Sequence, residues 1–160
     1  MAVRITGMDI FQVQLASLTQ DIQKINRGGL GEAAGYVADQ MKQALESMPV
    51  RPDKPTDKHR LYGATASEKN QIIQNFGISR FDDNGDRIET AIGFHGYVNT
   101  PSAKFNDQIP TGMLMQCIEY GTQFRRGIHL ISKTERQIRD AAAEKARKYI
   151  EEKITEKMEE

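Results

Sequence analysis

The chain of 160 residues has no tryptophan, one cysteine, five prolines and a formal net charge of zero. Each shortage excludes something. The lone Cys117 cannot close an internal disulfide, and a single thiol suits a reducing compartment. With 22 Lys+Arg against 22 Asp+Glu, no global field draws in nucleic acid or a membrane surface. No apolar run approaches the roughly 18 residues of a membrane span. The stretch from Met1 to Ile5 lacks the apolar centre of a signal peptide, so the chain is expected to be made and used without crossing a membrane by that route. Aromatics are 7% and apolar residues 38%. One domain over 1–160 is expected, large enough for a core but lean enough for neighbours to complete it.

What is there is mostly helical periodicity. Val3 and Ile5 suggest a short extended start. Met8, Phe11, Leu15, Leu18, Ile22 and Ile25 then follow at steps of three and four, which puts them on one narrow helical stripe shaped for a helix partner. Asn26-Arg27-Gly28-Gly29 is expected to break or bend this helix. A second pattern runs through Leu30, Ala34, Val37, Met41 and Leu45, and Pro49 ends it. Residues 49–63 carry three prolines among charged side chains and read as a long loop. A short helix is expected from Thr65 or Ser67 to Asn75, with Ser67 as a possible cap and Ile72, Ile73 and Phe76 buried.

The β signal comes next. Ile78–Phe81 and the alternating Ile88, Thr90, Ile92, Phe94 flank Asn84-Gly85, a strong hairpin signal. Tyr97 and Val98 would extend the second strand, and 99–110 reads as a second loop. Met113, Leu114, Cys117, Ile118 and Tyr120 favour a helical turn, with a strand as the alternative, stopped by Gly121. From about Ser132 a last helix turns Ile131, Ile138, Ala142, Ala146, Tyr149, Ile150 and Ile154 inward. The fold class is α+β: long N-terminal helices and a long C-terminal helix packed on a small, mainly antiparallel sheet. Zero net charge hides an asymmetry. Residues 125–148 hold eight basic and three acidic side chains, and residues 151–160 hold five Glu against two Lys.

No pattern here carries chemistry. The glycines of 29–35 lack the preceding strand and the spacing of a dinucleotide loop. Counted from Asp82, the sixth and twelfth positions are Arg87 and Gly93, which is wrong for an EF-hand. His59, His95 and His129 lack the spacing of a zinc helix. Cys117 sits in an apolar run and reads as a buried small hydrophobe, and no nucleophile elbow exists. No cofactor, metal, membrane or small-molecule substrate is expected, and no enzymatic activity. The basic segment 125–148 reads either as a solvated helix face or as a surface for phosphate or an acidic partner.

The stretch Ile118-Glu119-Tyr120-Gly121-Thr122, followed by a loop with Phe124, Arg125 and Arg126 and then a C-terminal helix, resembles the signature of tail-completion or head–tail joining proteins of long-tailed bacteriophages and prophages. Other segments agree in order. Gly7-Met8-Asp9-Ile10-Phe11 resembles the family's helix start, Ser47-Met48-Pro49-Val50 its helix end before a variable loop, and Ala91-Ile92-Gly93-Phe94 its central strand. Where that family has a proline-rich stretch after the motif, this chain has Arg126-Gly127-Ile128-His129-Leu130.

The resemblance implies a structural virion protein at the head–tail joint or head-proximal tail end, made in the bacterial host cytoplasm. It implies a homo-oligomeric ring, commonly of six, that contacts other tail or connector proteins, with passive contact to passing DNA. Glu119, Tyr120, Gly121, Thr122, Phe124, Arg125 and Arg126 are the expected interface residues. Glu119 and Thr122 would fix the turn or touch a neighbour, while Arg125 and Arg126 would contact a partner. A closed ring needs two unlike patches on each subunit, and the basic segment with the acidic tail could form such a pair. The alternative is a nucleic-acid-binding module that uses the basic 125–148 segment.

Overall fold

A computed structural model describes residues 8–52, 61–84, 87–100 and 106–159. The expected extended start, the middle of the first loop with His59, the Gly85-Asp86 turn and part of the second loop lie outside the described residues. The fold is α+β and is dominated by two long helices. Helix α1 spans Met8–Glu46 and helix α4 spans Leu130–Glu159. At 1.5 Å per residue they are roughly 58 Å and 45 Å long. They run antiparallel, with Gln14 donating to the Met158 carbonyl at 2.9 Å, Lys157 pairing with Asp21 at 3.5 Å, and Lys145 5.1 Å from the Tyr36 ring centre. None of the helices is long and apolar enough to cross a membrane among the described residues.

The expected break at Asn26–Gly29 is absent, because α1 runs through it. Packing against α4 supplies the reason. A Cβ on Gly28 would fall 2.5 Å from the Tyr149 ring, and one on Gly29 would fall 2.7 Å from Ile150 Cγ1 and 3.1 Å from the Ala146 carbonyl oxygen. At these two glycines the helices come close enough to leave no room for a side chain on α1. Burial of Tyr149 and Ile150 against bare backbone offsets a helix-propensity cost of about 1 kcal/mol per glycine. Of the expected stripe, Ile25 is buried, Leu18 and Ile22 are half-buried, and Leu15 is 47% exposed.

The core lies at the other end of the pair, where α1 finishes. Leu45, Met48, Ala64, Ile72, Val98, Leu114, Met115 and Ile118 form it, with Ile128, Leu130 and Ile131 packed alongside. Strand β1 (Leu61–Tyr62) leads into helix α2 (Ala66–Gln74). Thr65 caps α2, not Ser67. The Thr65 Oγ1 accepts from the Glu68 amide at 3.1 Å, and the Glu68 carboxylate accepts from the Thr65 amide at 2.9 Å. Thr-x-x-Glu was the legible signal for this cap.

Strands β2 (Phe76–Ile78), β3 (Asp82–Asp83), β4 (Ile88–Glu89) and β5 (Ile92–Phe94) form the expected hairpin in two pieces, β2 with β5 and β3 with β4. Strand β6 (Tyr97–Asn99) does not extend β5, because the chain turns at Gly96, whose φ is +66°. It pairs instead with β7 (Gln108–Pro110), so the second loop returns as a strand at its far end. Helix α3 (Thr111–Tyr120) follows, then β8 (Gly121–Thr122) and β9 (Arg125–Arg126). β9 pairs antiparallel with β8 and parallel with β1, a small three-stranded sheet that joins the end of the first loop to the motif.

The glycine contacts give an expectation of opposite signs. Gly35, also inside α1, has nothing within 4 Å of an added Cβ. Gly35→Ala is expected to stabilise by about 0.5–1 kcal/mol through helix propensity. Gly29→Ala is expected to destabilise despite the same propensity gain, because Ile150 must leave its seat. Chemical denaturation of the two variants checks this; a Gly29→Ala protein as stable as Gly35→Ala would show that α1 and α4 do not pack as described.

Candidate functional site

Helix α3 places Leu114, Met115, Ile118 and Glu119 inward and leaves Met113, Gln116 and Tyr120 on the opposite side. Gly121 ends it at φ +83°, a value that L side chains resist. A Cβ there would also press 2.7 Å from the Gly127 nitrogen and 2.8 Å from the Arg125 carbonyl oxygen. The chain then makes the β8–β9 hairpin, with Thr122 opposite Arg125 and Gln123-Phe124 at the tip. It returns along the end of α3, where the Ile128 amide donates to the Ile118 carbonyl at 3.0 Å and the His129 amide to the Glu119 carbonyl at 3.1 Å.

Glu119 explains why the motif needs an acid. Its carboxylate accepts from the Ile131 amide at 2.9 Å, the Ser132 amide at 2.8 Å and the Ser132 hydroxyl at 2.6 Å. Those amides belong to the first turn of α4, where backbone donors have no partner inside the helix. His129, just before α4, sits at φ +50° and is not a capping residue type. Glu119 therefore caps α4 from another helix and sets its negative charge against the positive end of the α4 dipole. Burial opposes its ionisation, but the hydrogen bonds from Ser132 and Ile131 outweigh burial and hold its pKa below the ordinary glutamate value.

The expected interface residues divide. Tyr120 is 66% and Phe124 70% exposed, and Thr122 and Arg126 are exposed as well. Thr122 also fixes the turn, its hydroxyl accepting from the Phe124 amide at 3.3 Å. Glu119 is buried and serves the fold. Arg125 was expected at the surface beside Arg126, and the structure corrects this: it is buried and its Nη1 donates to the Gly63 carbonyl at 2.6 Å. Strand alternation is the physical cause, since neighbours on β9 face opposite sides. Below Arg125 lies Glu68, which also accepts from Arg51 at 3.3 Å and from the Thr100 hydroxyl at 2.7 Å. Burial raises the Glu68 pKa, but hydrogen bonds from Thr65 and Thr100 and the charges of Arg51 and Arg125 bring it below the ordinary value.

Sequence reasoning missed Tyr62. It is 48% exposed on β1, and the Arg126 guanidinium lies 5.9 Å from its ring centre. Only the parallel β1–β9 pairing brings these residues together, and no short-range pattern encodes it. On the far side of Tyr120, an apolar groove of about 350 Å³ is lined by Phe94, Met113, Met115, Tyr120 and Ile131, with Gln116 and Glu119 as its polar members. Cys117, expected to be buried, is half-buried.

Three of the eight basic residues of 125–148 pair with carboxylates of their own helix. Arg139 pairs with Glu135, Arg147 with Glu144 and Glu151, and Lys148 with Glu152. These exposed pairs contribute little stability but leave less free positive charge than the residue count implies. Two of those partners, Glu151 and Glu152, come from the acidic tail. Among the described residues, no group of three or more His, Cys, Asp and Glu is arranged to hold a metal ion.

Two expectations follow from this geometry. Glu119→Gln keeps the shape but loses a charge-assisted cap, and should cost about 1.5–3 kcal/mol. The wild-type contribution is present above the ordinary glutamate pKa and is lost as pH falls through the lower folded-state value. The wild-type advantage over Glu119→Gln should therefore shrink in acid, read from denaturant melts between about pH 7 and about pH 3. A gap independent of pH would mean that the carboxylate charge is not what caps α4. Separately, Arg125→Met should lose about 1.5–3 kcal/mol, whereas Arg126→Met should stay within about 0.5 kcal/mol. Equal melting temperatures for the two variants would contradict the burial of Arg125.

Comparisons with protein-family models, with curated proteins and with solved structures find no match to this chain.

Proposed function

We propose that this chain is a structural virion protein of a tailed bacteriophage, placed at the head–tail joint or the head-proximal end of the tail, where it assembles with copies of itself and with neighbouring tail or connector proteins. The observation that carries this reading is the Glu119–Thr122 motif in its place between a short helix and a long C-terminal one. Each motif residue has a physical task that suits a joining subunit. Glu119 fixes the start of α4, Gly121 makes the turn, and Tyr120 is left 66% exposed beside them. Large apolar side chains exposed over one region support an assembly role, since soluble monomers rarely leave such side chains clustered. Tyr120 within the motif and Phe124, Tyr62 and Met113 near it are all more than 40% exposed.

A DNA-facing role for 125–148 has less support. Arg125 is buried, and Arg139, Arg147 and Lys148 pair with carboxylates on their own helix. Non-specific phosphate binding draws on free cations that release counterions, and pairing removes them.

Adding the purified protein to an assembly extract that lacks it should restore the joining of filled heads to tails, scored by electron microscopy and by infectious titre. A Tyr120→Ser, Arg126→Ser variant with an unchanged melting temperature should restore it poorly. Free heads and free tails persisting in the presence of the wild-type protein would rule the assignment out.

A further inference from the structure

We infer that Phe124 of one copy seats in the apolar groove beside Tyr120 of a second copy, so that the chain carries both halves of a self-association contact. The knob is held ready. Phe124 is 70% exposed, yet its backbone is fixed on both sides: its amide donates to the Thr122 hydroxyl at 3.3 Å, and its carbonyl accepts from the Leu61 amide at 2.9 Å. Gly121, with φ +83° and no room for a side chain, fixes the base of the same hairpin. A side chain presented on an ordered backbone loses little further entropy on binding.

The receiving surface suits it in size and chemistry. The groove holds about 350 Å³ between Phe94, Met113, Met115, Tyr120 and Ile131. This is near the lower bound of small-molecule pockets, roughly 300 Å³, and ample for one aromatic ring. Methionine adapts to an incoming ring and makes favourable sulfur–aromatic contacts, and Met113 is 42% exposed at the groove mouth. A fixed hairpin with an apolar tip thus meets an apolar groove on the same molecule. A knob and a pocket on one molecule form a contact between unlike patches, which pairs copies or propagates from copy to copy. The inference needs only the chain itself and does not rest on a place in the virion.

Sedimentation of the purified full chain over a wide concentration range tests it, with variants Phe124→Ser and Met113→Glu. Both positions are exposed, so both proteins should keep the wild-type melting temperature and helix content. Wild type should shift from 18.1 kDa to multiples of that mass as concentration rises. Each variant alone should stay at 18.1 kDa, because one lacks the knob and the other the groove. Mixed together, the variants should recover complexes of two and no larger, since one supplies an intact groove and the other an intact Phe124. Three results would overturn the inference: a wild-type chain that stays monomeric throughout, variants that associate as the wild type does, or a mixture that shows no complex. If these contacts form and virion joining is still not restored by the protein, the virion assignment fails alone.

Discussion

The structure depends on one carboxylate placed against one helix end. Helix α4 begins after a residue that cannot cap it, at a positive φ, with its first amides facing the protein. Glu119 reaches those amides from the last turn of α3 and takes three hydrogen bonds in the space of two residues. Without it, the N-terminus of a 30-residue helix would bury unpaired donors beside the core. The same carboxylate fixes the angle between α3 and α4. It also ties the return of the loop to the place where Ile118 enters the core.

The other long helix ends by a related device. α1 finishes at Glu46 with no basic residue in its last turn. Lys69 of α2 supplies the missing charge, its Nζ donating to the Glu46 carbonyl at 2.6 Å and the Met48 carbonyl at 3.0 Å. One residue earlier, Glu68 gathers the Thr65 amide, Arg51 and Thr100, so the first turn of α2 holds the inner ends of both long loops. Gly63 completes this corner. It stands at φ +73° where a Cβ would overlap the Pro49 carbonyl, and its own carbonyl receives Arg125. Both long helices are thus terminated by side chains from the short helices, and the small elements decide how the large ones lie.

That division explains what could be read in the sequence. Periodicity gave helices on both sides of 26–29 and from about Ser132 onward because their apolar spacing is local. The β3–β4 pairing around 84–87 and the stop at Gly121 were legible for the same reason: each is announced by a short local pattern. Gly28-Gly29 misled because two glycines in a row mark a break when read locally, whereas here they admit the side chains of a helix more than a hundred residues away. Arg125 misled because two adjacent arginines look alike in a sequence, and only strand alternation sends one inward. Glu119 stood out as a motif residue, but its partners at 131 and 132 lie across a loop, so its capping role could not be read from spacing. Tyr62 was hidden inside a proline-rich loop whose end pairs with β9.

These observations fit together in one respect. Around the motif the backbone is nearly over-determined: Gly121 and Gly127 leave no space for a Cβ, two amides and a hydroxyl close on Glu119, and β9 is paired on both edges. The side chains raised on that backbone are the reverse, with Tyr120, Phe124 and Tyr62 more exposed than aromatic residues usually are. A protein that only needed to fold would gain by making those positions polar. Rigid support beneath uncovered aromatic groups is what preorganised recognition requires, because the ordering cost is met on folding and the apolar area remains to be buried on contact.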